Sequence, residues 1–190
     1  QVFSTTMVAI VLTKIGEAAP LPIYRGATNI AGALAGGAAL VGLGFAANPA
    51  FGGEPLSRAG VFNELIPGYL LPMAGATALA IVARGASALK TKLAAGAALA
   101  LAFAFVTLET RAMFHPLDLH WRHGVTAGES LAYSAAWLGL GLAALAYGAA
   151  RRSKEARIGS AVFVVVATLK VFLLDMAGLT GAARAFSFIG

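Results

Sequence analysis

Five long apolar stretches constrain the fold of this chain more than any other feature. They cover residues 27–47, 65–83, 93–110, 131–150 and 158–174. A helix needs about 20 mainly apolar residues to cross the hydrocarbon core of a bilayer, and fewer where its ends snorkel or the bilayer thins. Each stretch is therefore predicted to be a transmembrane helix, and the fold class is predicted to be an all-α, polytopic helix bundle that forms a single transmembrane domain.

The composition agrees with this prediction. Hydrophobic residues make up 59% of the chain and charged residues 12%, whereas about 25% of residues are charged in a typical soluble domain. This argues against a water-soluble enzyme and against a nucleic-acid partner. The chain has no Cys, which removes disulfides, thiolate zinc sites and iron–sulfur clusters. It also lacks a phosphate-binding or dinucleotide-binding glycine motif, so no cofactor is predicted.

Two shorter apolar segments, residues 2–12 and 179–190, flank the five predicted spans. We interpret them as partial spans, and the first could equally be a short interfacial helix. The chain begins with Gln1 and ends in an apolar run, so it is expected to be a fragment of a longer polytopic protein.

The basic residues between the spans predict the orientation in the membrane. They cluster before the first span, between the second and third, and between the fourth and fifth: Lys14 and Arg25; Arg84, Lys90 and Lys92; Arg151, Arg152, Lys154 and Arg157. Cytoplasmic loops carry an excess of Lys and Arg. These loops are therefore predicted to be cytoplasmic, and the opposite loops, whose charges nearly balance, exterior.

The exterior connection between Glu109 and Ser130 is the densest polar cluster. It contains all three His residues, at positions 115, 120 and 123. They could act as acid–base groups or as metal ligands, but their spacing does not match a known zinc motif, and no metal site is predicted. We favour an amphipathic loop at the level of the lipid headgroups, which Phe114 and Trp121 would anchor.

Lys170 lies inside the fifth predicted span. An ionisable group within a span indicates a functional site by default. Lys170 is close to the exterior end, however, and Asp175 follows it. We expect a structural pair of Lys170 with Asp175, or with Glu109 or Glu129 from neighbouring helices.

Small residues recur at helical spacing within the spans. The predicted helix-packing positions are Gly32, Gly36, Gly139 and Gly148. Glycines at such spacing let two membrane helices approach closely, but in a chain this rich in Ala and Gly they do not identify a dimer.

The C-terminal half contains a recognisable pattern: Leu108-Glu109-Thr110-Arg111 with Phe114-His115; Glu129-Ser130-Leu131-Ala132-Tyr133-Ser134 with Ala136-Trp137; and Leu169-Lys170-Val171-Phe172 with Asp175, Gly178, Gly181, Arg184 and Ser187-Phe188. Over residues 105–190 it resembles the bacterial membrane-protein family known as domain of unknown function 2339. The resemblance implies a longer chain with many spans in the bacterial inner membrane. It marks seven exterior positions, namely Glu109, Arg111, His115, Glu129, Lys170, Asp175 and Arg184, but implies no reaction.

Two functions are compatible with these features. The first is a scaffold or accessory subunit, whose partners would be membrane lipids and either other membrane polypeptides or the rest of its own chain. The second is a transporter or an envelope enzyme acting on lipid-linked substrates, with an exterior site at the seven positions. In that site Arg111 and Arg184 would hold phosphate or carboxylate, and Glu109 or His115 would move protons.

Overall fold

The computed structural model describes residues 11, 36–37, 41–52, 56–57, 60, 63–84 and 87–175. These residues are largely helical and include no strand. The α-helices are α1 (Pro49–Gly52), α2 (Leu71–Val82), α3 (Ala88–Phe114), α4 (Ala127–Ala150) and α5 (Lys154–Lys170). Gly42–Ala46, Ile66–Leu70 and Val171–Asp175 are π-helical, and Trp121–His123 is a 3-10 helix.

Three helices are long and apolar enough to cross a membrane: Ala88–Phe114, Ala127–Ala150 and Lys154–Asp175. They correspond to the stretches predicted at 93–110, 131–150 and 158–174. The all-helical fold is confirmed, but the prediction of five full spans is wrong for the described residues. The partial segment at 179–190, all of the segment at 2–12 except residue 11, and most of the stretch at 27–47 lie outside the described residues.

The stretch at 65–83 forms a shorter apolar helix, Ile66–Val82. Its first turn, Ile66–Leu70, is π-helical and contains Pro67. Asn63 accepts a hydrogen bond from the amide of Leu65 at 2.8 Å and so fixes the start of the helix. Seventeen helical residues extend at most about 25 Å, which is less than the hydrocarbon thickness of about 30 Å.

Each of the three spanning helices begins at a polar capping residue. The side chains of Ser87, Thr126 and Ser153 accept hydrogen bonds from the amides of Lys90, Glu129 and Ala156, respectively. Such caps satisfy amide groups that have no partner within the helix. The sequence therefore sets these three starting points locally.

Successive spanning helices run in opposite directions, and α3 lies at the centre. It packs against α2, α4 and α5, while α4 and α5 form the most extensive helix pair. The core towards the C-terminal end of α3 joins Leu101 and Leu108 of that helix to Tyr69 and to Leu119 of the α3–α4 connection. The Tyr69 hydroxyl donates to the carbonyl oxygen of Leu43 at 2.9 Å, which attaches the 41–47 segment to this core.

Glycines bring α4 and α5 close together. A Cβ atom at Gly141 would lie 3.1 Å from Val164 Cγ2 and 3.5 Å from the Ser160 carbonyl oxygen. A Cβ atom at Gly148 would lie 2.8 Å from Arg157 Cγ. Gly139 differs, because no described atom lies within 4 Å of the Cβ position there. Gly141 and Gly148 thus face α5, and Gly139 faces away from the described helices.

We predict that Gly141→Leu destabilises the helix pair by about 1–3 kcal/mol, because the new side chain must force α4 away from α5. The matched control is Gly96→Leu, at an exposed glycine of α3 with no described atom within 4 Å of its Cβ position, which should leave the stability almost unchanged. The free energy of unfolding in a mild detergent measures both. Equal effects of the two substitutions would contradict the packing described for α4.

Candidate functional site

Arg111 is the centre of a buried network at the C-terminal end of α3, the end predicted to be exterior. Its side chain is 0% exposed. It donates to the carbonyl oxygens of Leu119 (2.6 Å), His120 (2.7 Å) and Gly124 (3.1 Å), and to the Glu129 carboxylate (2.6 Å). Its guanidinium carbon also lies 4.5 Å from the centre of the Trp121 ring, within the range of a cation–π contact. One side chain thus holds the whole α3–α4 connection against α4.

The Glu129 carboxylate is shared by three side chains. In addition to Arg111, it accepts a hydrogen bond from the Tyr133 hydroxyl at 2.8 Å and lies 3.2 Å from His115 Nε2. Its side chain is 0% exposed. A buried carboxylate is tolerated only when it is paired and hydrogen-bonded, and these three groups meet that requirement.

A second histidine–carboxylate pair lies beside the first and is more exposed. His123 Nε2 is 2.9 Å from the Asp118 carboxylate, and the His115 and His123 rings stack with their centres 5.5 Å apart. Arg122 donates to the same carboxylate at 2.6 Å. Hydrogen bonds from His123, Arg122 and the His120 amide lower the pKa of Asp118 below its usual range, because they favour the ionised form.

Lys170 and Asp175 form a separate network between α4 and the end of α5. The Lys170 ammonium lies 2.8 Å from Asp175 Oδ1 and donates to the Ser130 carbonyl oxygen at 2.7 Å. The Ser130 and Ser134 hydroxyls donate to the two Asp175 oxygens at 2.6 and 2.7 Å. The π-helical turn Val171–Asp175 returns the carboxylate to the lysine. The predicted pairing of Lys170 with Asp175 is therefore present.

Glu109 belongs to neither network. Its carboxylate interacts with the side chain of Asn63, at the start of the short apolar helix. Its Oε1 atom is buried and has no hydrogen-bond partner among the described residues.

The structure therefore divides the seven positions marked by the sequence. It joins Arg111, His115 and Glu129 in one network and Lys170 with Asp175 in a second, and it places Glu109 apart from both. Arg184 lies outside the described residues, as does Gly32 of the predicted packing positions. Gly36 has no described atom within 4 Å of its Cβ position.

Sequence reasoning missed three side chains of these networks. Ser130, Tyr133 and Ser134 supply hydroxyl groups to these networks. The four-residue spacings from Glu129 to Tyr133 and from Ser130 to Ser134 were an available signal, since residues four apart share one face of a helix.

The chemistry open to these groups is narrow. Within the described ranges, no three His, Cys, Asp or Glu side chains are arranged to hold a metal ion. Arg111 and Glu129 have no solvent contact, whereas the His115 side chain is 20% exposed. Of the first network, His115 is thus the titratable group that is accessible to solvent.

Comparison with known proteins identifies a family. The family model described as "Predicted membrane protein (DUF2339)" matches residues 1–190, the whole chain. The resemblance expected from residues 105–190 is therefore confirmed and extends to the N-terminal half. No curated protein and no solved structure matches the chain.

We predict that Arg111→Ala destabilises the protein by about 3–5 kcal/mol, because it leaves the Glu129 carboxylate buried without its cation. Adding Glu129→Gln to this variant should restore part of the loss, since the remaining group is neutral. The free energies of unfolding of the two single variants and the double variant measure this coupling.

The control for this series is Arg122→Ala. The Arg122 side chain is 61% exposed, and exposed ion pairs contribute little to stability. Its removal should leave the free energy of unfolding almost unchanged. If Arg111→Ala were as mild as Arg122→Ala, Arg111 would not hold the connection as described.

Proposed function

We propose that this chain, which belongs to the DUF2339 family of predicted membrane proteins, is a helical scaffold or accessory subunit that binds other membrane polypeptides within the bilayer. The observation that carries this proposal is the pairing of the exterior charges. Among the described residues, Arg111, Arg122 and Lys170 on that side are each paired with a carboxylate of the same chain. Cations that are already paired are poorly placed to hold an anionic substrate.

The open faces of the spans supply the binding surface. Only 17% to 28% of the most apolar window of each span is buried within the described part of the chain. On α4 the outward side forms a stripe at helical spacing, which we call the Gly139 face: Ala135, Gly139, Leu142 and Ala146, all exposed. Small residues on such a face allow the backbone of another membrane helix to approach closely.

We propose a transmembrane helix of another polypeptide as the occupant of the Gly139 face. Lipid chains also cover such faces, but they do not need a glycine at the centre, whereas a second helix gains closer contact from one. The proposed location is the bacterial inner membrane, where the chain would be multi-pass with its basic turns on the cytoplasmic side.

The alternative is a transporter or an envelope enzyme that acts on lipid-linked substrates. His115 favours it, because this side chain is partly exposed and contacts the buried Glu129, an arrangement suited to proton transfer. The alternative also needs a cation free to bind a phosphate or carboxylate. Arg111 does not meet that need, because its side chain is buried on groups of its own chain. We therefore rank the scaffold first.

The test compares the full-length wild-type protein with Gly139→Leu, after purification in mild detergent and identification of every stoichiometric polypeptide by mass spectrometry. We expect a partner with the wild type and its loss with Gly139→Leu, because the leucine would hold the helices apart. Gly96→Leu is the matched control: Gly96 is an exposed glycine on α3 with no described atom within 4 Å of its Cβ position.

Two results would contradict the scaffold role. One is a wild-type protein that purifies without any stoichiometric polypeptide. The other is a partner that Gly139→Leu retains as well as Gly96→Leu does. If in addition His115→Ala abolished a cellular phenotype without loss of expression, the alternative would become the better account.

A further inference from the structure

The turn between α4 and α5 contains a backbone conformation that is unusual for its residue. Arg152 has φ of 51°, in the left-handed region that favours glycine. The surrounding hydrogen bonds form a Schellman motif. The Ser153 amide donates to the Gly148 carbonyl oxygen at 3.0 Å, and the Arg152 amide donates to that of Ala149 at 3.4 Å. Arg152 therefore occupies the position where helices most often place Gly.

An arginine at this position indicates a role for its side chain. Glycine would adopt the same conformation without strain, and an observed strain is a reason to look for a function nearby. The Arg152 side chain is exposed, as are those of Arg151, Lys154 and Arg157 around it. Four cationic side chains thus surround one tight turn.

The α2–α3 turn brings further positive charge to the same end of the bundle. Near the start of α5, Gly159 packs directly against Leu99 of α3, and Arg84 and Lys92 lie near enough to Glu155 for their charges to help lower its pKa, so the two turns are neighbours. Together they form what we call the basic end. Among the described residues it holds seven cationic side chains and a single carboxylate, Glu155: Arg84, Lys90, Lys92, Arg151, Arg152, Lys154 and Arg157.

Apolar side chains lie directly next to these cations along the helices. Leu89 and Leu93 stand on either side of the two lysines of α3, and Ile158 follows Arg157 on α5. Their exposed fractions are 66%, 60% and 66%. Close packing against α4 also fixes the position of Arg157. The aliphatic part of the Arg157 side chain lies over Gly148, where a Cβ atom would be 2.8 Å from Arg157 Cγ. Cations beside exposed leucine and isoleucine match a ligand that has an anionic group joined to hydrocarbon.

We propose that the basic end is a binding site for the headgroups of anionic phospholipids, in which Arg152 contacts the phosphate. Arginine suits this contact because its planar fork of donors matches phosphate oxygens. Basic clusters at the cytoplasmic ends of membrane helices attract anionic lipids. A free phosphate or a nucleic acid would use the cations but not the apolar side chains beside them. The site is independent of the scaffold role.

The test measures which lipids the full-length protein keeps. The protein is reconstituted in vesicles of equal parts phosphatidylglycerol and phosphatidylcholine, extracted in mild detergent, and its bound lipids are quantified by mass spectrometry. We expect the wild type to be enriched in phosphatidylglycerol. Arg152→Gly should lower this enrichment about fivefold, the effect of one basic side chain near an anionic surface.

Arg152→Gly also separates binding from folding. Because glycine relieves the left-handed strain, this variant should unfold at the same temperature as the wild type or higher while it loses the lipid. Arg122→Gly, at the exterior end, is the control and should keep the full enrichment. Lys154→Gln is a second variant at the basic end and should lower the enrichment without a change in the turn.

Three results would overturn the proposal. The first is a wild type that retains the two lipids in their bulk ratio. The second is that Arg152→Gly and Lys154→Gln both retain phosphatidylglycerol as the wild type does. The third is complete displacement of the lipid by an excess of inorganic phosphate. The last result would mean that the cations bind phosphate without regard to the hydrocarbon beside them.

Discussion

The exclusion of charge from hydrocarbon is the constraint on which the rest of this structure depends. In α3 the residues from Leu93 to Leu108 carry no charge, and Lys90 and Lys92 precede them while Glu109 and Arg111 follow. The same sorting holds in α4 and α5, where the charged residues stand near the ends. A charge at the centre of a bilayer would cost several kcal/mol. The faces of the spans are therefore apolar, and among the described residues their charged side chains lie near two opposite ends.

The two ends of the bundle accommodate their charged side chains in different ways. At the C-terminal end of α3 every described Arg and Lys side chain is paired with a carboxylate, and buried Arg111 uses its donors on three carbonyl oxygens of the α3–α4 connection as well as on Glu129. A connection that packs against the bundle must satisfy its backbone polar groups, and this arginine does so. At the basic end the cations outnumber the carboxylates and stay exposed, so that end is left with net positive charge.

Much of the fold could be predicted from the sequence, and less of the site. Length and hydropathy were sufficient for the three spans, and the serine and threonine caps set where those spans begin. The stretch at 65–83 was overestimated as a full span, because its helix, Ile66–Val82, is one residue shorter at each end and too short to cross the hydrocarbon core without tilt or thinning of the bilayer. The Lys170–Asp175 pair follows from proximity in sequence. The partners of Arg111 could not be predicted in this way, since they are mainly backbone oxygens whose position depends on how the connection folds. The place of Glu109 beside Asn63 also could not, because it depends on the packing of two helices.

We infer that one membrane separates the network around Arg111 from the basic end. Cysteine labelling is a direct test of this topology. The chain has no Cys, so single cysteines at the exposed positions Val125 and Lys154 would report each end once any cysteine elsewhere in the full-length protein has been replaced. A membrane-impermeant maleimide is applied to intact cells that express the full-length protein. If the two ends lie on opposite sides, Val125→Cys is labelled at once and Lys154→Cys only after the membrane is permeabilised. Labelling of both positions in intact cells would contradict it.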